Sequence, residues 1–147
     1  MLRKIFKILL ALSFMVLIFD FSNDNGVESS NKSDGIIIKS IQIIFKHNLT
    51  TEEKNILQKR LVVPVRKTAH LLVYLILGIL IMNVLVEFKP INKQIILSAL
   101  LICFLYACSD EIHQLFINGR SGEIKDVLLD TIGSMIGIII FSKIKRR

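Results

Sequence analysis

Apolar residues in this chain gather in long blocks, and the polar residues fall between the blocks instead of alternating with them. A helix needs about 20 mostly apolar residues to cross the hydrocarbon core of a bilayer. Blocks at about residues 5–21, 64–86, 91–116 and 126–142 meet that length or come near it, the first and the last being the shortest. The pattern therefore predicts an all-α integral membrane bundle of four transmembrane helices, a single domain over 1–147 with outer loops at 22–63 and 117–125. Pro64 suits the opening turn of the second span, where its missing N–H would lack an intrahelical partner anyway.

The first outer loop is not uniform. Residues 22–35 are polar and turn-rich, whereas 36–45 are apolar but only about ten long and are interrupted by Lys39 and Gln42. A segment so short cannot span, and it is predicted to be a helical stretch lying in the interface. Thr50 and Glu53 then stand at capping-box spacing, which predicts a short polar helix through Arg60. Arg3, Lys4 and Lys7 ahead of the first apolar block give it the look of a signal peptide. Val27-Glu28-Ser29 is a poor cleavage site, so an uncleaved first helix is favoured, with cleavage as the alternative.

Composition agrees with the block pattern, since 52% of the residues are hydrophobic and only 21% charged. That balance argues against a water-soluble enzyme. The net charge of +7 comes from residues beside apolar blocks, at both chain ends and in the long loop. Anionic lipid is the partner this suggests, and nucleic acid is set aside. Arg3, Lys4 and Lys7, then Lys89 and Lys93, then Lys143, Lys145, Arg146 and Arg147 fall on one side of a four-span chain, which predicts cytoplasmic N- and C-termini. Cys103 and Cys108 lie in one apolar block, five positions apart, and read as two buried thiols, neither a disulfide nor a metal pair.

Polar residues inside the spans carry the candidate chemistry. Arg66, His70, Tyr74 and Gly78 are spaced by four and share one face of the second span, with Lys67 beside them. Cations in the first turns oppose the helix dipole, and the third span shows the converse, ending in Tyr106, Asp110, Glu111, His113 and Gln114. Antiparallel neighbours bring these ends together, so the two sets are expected to neutralise each other. An ionisable group in the bilayer interior otherwise costs about 3 kcal/mol or more. The fourth span adds Asp126 near its N-terminus and Asp130 one turn deeper, then Gly133 and Gly137 at a spacing that permits close helix approach. Arg120, in the turn Asn118-Gly119-Arg120-Ser121-Gly122, can offer a guanidinium fork to phosphate or carboxylate. His113 with Asp110 and Glu111 lacks the spacing of a zinc pair, so no metal is predicted, and no cofactor fingerprint is present.

In combination, Arg66-Lys67-Thr68-Ala69-His70 with Tyr74 and Gly78, and Asp110-Glu111-x-x-Gln114-x-Phe116-x-x-Gly119-Arg120 followed by Asp126, Gly133 and Gly137, resemble the VanZ-like family. This family of small bacterial membrane proteins is named for a protein linked to teicoplanin resistance. The chain departs from the family pattern with Asn118 in place of proline before Gly-Arg, and with Asp130 in place of asparagine. The family's Phe-Ser motif after the first helix is matched only by Phe21 and Ser22.

Two functions of different class follow. In the first, an outward-facing polar pocket of Arg66, Lys67, His70, Tyr74, Asp110, Glu111, Gln114, Arg120 and Asp126 binds or shields a cell-envelope ligand. A lipid-linked cell-wall precursor or a glycopeptide would be the partner, and the resemblance implies a role in teicoplanin tolerance. In the second, the protein is an enzyme acting on a lipid-linked phosphate or peptide headgroup, with catalytic candidates His70, Asp110 and Glu111 and with Arg66, Lys67 and Arg120 clamping the anion. No serine or cysteine stands beside a convincing base, so binding ranks first. The oligomeric state is not encoded in these patterns.

Overall fold

A computed structural model describes residues 1–23, 63–117 and 122–146, together with Ile43, Thr50, Glu52, Ile56 and Arg60 as isolated positions. Apart from those positions, the predicted interfacial segment at 36–45 and the polar helix reaching Arg60 lie outside the described residues. The described residues form four helices: α1 (Leu2–Asn23), α2 (Val63–Leu85), α3 (Lys93–Gln114) and α4 (Ile124–Arg146). All four are long and apolar enough to cross a membrane, and no strand occurs among the described residues.

Local chemistry sets the boundaries. Asn92 caps α3, its side chain accepting the Ile95 N–H at 2.9 Å and so satisfying one of the orphan donors of the first turn. Asp126 occupies the first turn of α4, where the dipole favours an acid. The fourth helix is longer than its apolar block, because charged residues at both ends continue the helical backbone to Arg146. That extension accounts for a block that looked short for a span.

Helices α2 and α4 form the most extensive pair, and α3 packs against both. Their closeness has a simple cause. A Cβ placed on Gly78 would overlap the Ser134 carbonyl, one on Gly133 the Leu71 carbonyl, and one on Gly137 the Leu75 carbonyl. Backbone thus lies on backbone along the seam, as expected where small residues line a helix contact in a membrane. Tyr74, Leu77, Met82, Cys103 and Ile138 fill the interior around the seam. Leu72, Ile76, Leu97, Leu101, Leu105, Ile132 and Ile139 are exposed, which gives the bundle an apolar exterior suited to lipid. Met135 is on that exterior too, and of the two thiols expected to be buried Cys103 is, while Cys108 is only half-buried. A helix turn of 100° per residue separates these side chains from their inward-facing neighbours.

Helix α1 packs against α2 and α3 and is fastened at both ends. Near its start, Arg3 and Lys7 meet Glu87 of the α2–α3 connection at 3.0 and 2.5 Å, with Lys4 over the Phe88 ring. Further along, the Tyr106 hydroxyl donates to the Met15 carbonyl, and Phe19 stacks on His113 with 4.3 Å between ring centroids. These contacts make α1 and α3 run parallel and put the beginnings of α2 and α4 beside the end of α3.

Candidate functional site

The end of the bundle where α2 and α4 begin and α3 finishes holds a cluster of polar side chains within an otherwise apolar protein. Lys67, one turn into α2, reaches Asp126 at 2.8 Å and Glu123 at 3.8 Å. Both acids belong to the start of α4. The expectation that the cations of the second span meet the acids of the third is therefore corrected for Lys67. The glycine seam draws α4 closest to α2, so Asp126 intercepts the ammonium, and Glu111 lies within its electrostatic reach without forming an ion pair.

Glu111 has a different partner. Its carboxylate accepts the Glu123 backbone N–H at 2.8 Å, capping the N-terminus of α4 from the end of α3. An acid at that position is favoured by the orphan N–H groups and by the positive end of the helix dipole. Gly122 makes the approach possible, since a Cβ there would come within 2.9 Å of the Glu111 carbonyl and of the Leu115 side chain.

One layer deeper, Asp110 of α3 and Asp130 of α4 lie within electrostatic reach of each other, 2% and 0% exposed. Gln114 donates to Asp110 at 3.2 Å, and the His70 ring, half-buried on α2, stands 3.9 Å from Asp130. That distance is within ion-pair range and longer than a hydrogen bond. Tyr74 is fully buried beside both carboxylates, and its ring tilts against that of Tyr106 at 6.3 Å.

Of the nine residues expected to form a ligand pocket, seven have described side chains: Lys67, His70, Tyr74, Asp110, Glu111, Gln114 and Asp126. All seven come to this one end from α2, α3 and α4. Arg66 belongs to the first turn of α2, but its side chain is outside what the structure describes, as is Arg120 with the whole of 118–121. Sequence reasoning named Asp130 without giving it a pocket role, and it overlooked Glu123. The signal for Asp130 was its position four residues after Asp126, on the same helix face. For Glu123 there was little signal, because its part depends on a backbone N–H.

A family model described as VanZ/LLP1 matches residues 6–145, nearly the whole chain. No curated protein and no solved structure matches it.

Proposed function

The chain belongs to the VanZ/LLP1 family of multi-pass membrane proteins, and from that premise we propose that it binds and shields a cell-envelope ligand at its polar end. In this reading the cluster faces outward from a bacterial cell membrane, both termini are cytoplasmic, and engagement of the ligand contributes to tolerance of glycopeptides such as teicoplanin. One observation carries it: three helices of an apolar bundle deliver Lys67, Asp126, Glu111, His70, Gln114 and Asp110 to a single end. Ionisable groups are costly in a membrane helix and commonly mark function there. In sequence, Arg120 falls between the end of α3 and the start of α4, and a guanidinium is suited to a phosphate or carboxylate headgroup.

The arrangement favours binding over catalysis. Two of the candidate acids have structural duties, Glu111 at the start of α4 and Asp110 with Gln114. The test is to incubate purified protein with lipid-linked envelope precursors and analyse the products by mass. Saturable retention of unchanged precursor is expected, and turnover would replace this reading with an enzymatic one. In cells, alanine at Arg66, Glu111 or Arg120 is expected to lower teicoplanin tolerance at unchanged protein level. Full tolerance in all three variants would refute the role.

A further inference from the structure

The end of the bundle where α3 begins and α4 finishes is rich in cations. Among the described residues Glu87 is the one acid there, and Arg3 and Lys7 hold it. Lys89, Lys93, Lys143 and Lys145 are exposed and have no acid in ion-pair range among the described residues.

Between the two helices at this end runs a groove of about 210 Å³, lined by Ile96 of α3 and by Ile138, Ile139, Ser142 and Lys143 of α4. Ile138 and Ser142 are buried and form its floor, whereas Ile139, 43% exposed, opens it to the bilayer. The Ser142 hydroxyl donates to the Ile138 carbonyl at 2.7 Å, so the floor presents an apolar surface. Ile138 lies about 12 Å along α4 from Arg146, at a rise of about 1.5 Å per residue. The groove therefore starts among interfacial charges and ends in hydrocarbon. Its volume is below the ~300 Å³ at which pockets for drug-sized ligands begin, and it suits a length of one acyl chain. Lys143 both lines the groove and is exposed, as a lysine does whose stem covers apolar surface while its ammonium stays in water. Lys93 stands three residues before Ile96 on the same face of α3, bringing a second cation to this end.

We propose that this groove binds an anionic phospholipid, with one acyl chain over Ile96, Ile138 and Ser142 and the phosphate held by Lys143 and Lys93. Charge complementarity selects that occupant, since basic pockets between transmembrane helices attract anionic headgroups and a zwitterionic lipid carries no net charge. A folded acidic protein cannot enter a space one chain wide. The opposite end, with Asp110, Glu111, Glu123 and Asp126, repels the same headgroup.

The chain contains no tryptophan, so an introduced one reports on the lipid beside it. Ile140→Trp sets a reporter next to the groove and Leu128→Trp sets one near the acidic end of the same helix, both at exposed positions. Each full chain is reconstituted in dioleoylphosphatidylcholine vesicles containing increasing brominated phosphatidylglycerol, which quenches tryptophan on contact, with brominated phosphatidylcholine as the reference. At Ile140→Trp the anionic lipid should be preferred by about fivefold or more, the factor that one interfacial lysine supplies, and at Leu128→Trp the preference should be near unity. In the Ile140→Trp background, Lys143→Gln should remove most of the preference. Ile139→Phe, which fills the groove and keeps every charge, should do the same, and Lys89→Gln, at the same end but outside the groove, should leave it intact. Equal preference at the two reporters overturns the proposal. So does full preference in Ile139→Phe, or a loss in Lys89→Gln as large as that in Lys143→Gln, because either leaves only a diffuse attraction to the basic end. Dissolved glycerol phosphate has no chain and should not compete; competition would assign the lysines to a free phosphate and likewise overturn the proposal. No envelope ligand enters the experiment, so its outcome is independent of the binding function proposed above.

Discussion

The two ends of the bundle handle charge in opposite ways. At the end where α1 begins, one acid in a turn meets two cations from α1, and Lys7 and Arg3 hold the Glu87 carboxyl down at about 2, from an ordinary 4.5. Cations exceed acids there, water is near, and the contact ties one helix to one turn. At the other end Lys67 faces Asp126 and Glu123, while Glu111, Asp110 and Asp130 crowd behind it. In that group, acids exceed cations among the described side chains and part of it is fully buried. The first arrangement is what a structural fastening requires. The second goes beyond what fastening requires, and that excess makes it the candidate site.

The comparison presupposes that the α2–α4 seam keeps the polar end in register, and the largest effect is expected from breaking it. Gly137→Leu forces a side chain into the Leu75 carbonyl and should cost about 3 kcal/mol or more, read as loss of monodisperse folded protein. Next comes a direct contrast of the ends. Lys67→Ala leaves Asp126 without its ammonium and should destabilise by about 1 kcal/mol in thermal unfolding, with Glu87→Ala costing less. Restoration of stability by a Lys67→Asp, Asp126→Lys exchange would mark the pair as structural alone if ligand retention also returned in full. Tyr106→Phe removes the bond to the Met15 carbonyl and should loosen α1 by about 1 kcal/mol or less, visible as faster amide exchange in α1 with α2 and α4 unaffected. The smallest effect is a matter of pH. Because the folded Glu87 is depressed relative to its ordinary value, its stabilisation is complete above about 4.5 and is lost as pH falls toward about 2. The α1 attachment should therefore weaken over that acid window, and Glu87→Gln should abolish the pH dependence.

Four spans, the close approach at Gly133 and Gly137, and the gathering of charges at one end were all legible in the residue pattern, because each depends on helical period and block length. Which of the acids at that end Lys67 meets was not. It depends on which helix the glycine seam brings nearer, a tertiary distance that spacing along one helix cannot report. Nor was the capping by Glu111 foreseeable, since its partner is a main-chain N–H that every residue but proline possesses. Glu87 escaped notice for a related reason: an acid between basic residues in a short turn looks solvated until the start of α1 is known to lie against it.

The glycine seam also bears on how the bundle is assembled. Its two halves belong to α2 and α4, so a chain emerging from its N-terminus must insert α3 after α2 before the tightest interface exists. Until Ile124 and the residues after it arrive, Lys67 has no Asp126 and Gly78 has no Ser134 to rest on. Arrival of α4 is thus the event that converts a loose set of inserted helices into one body.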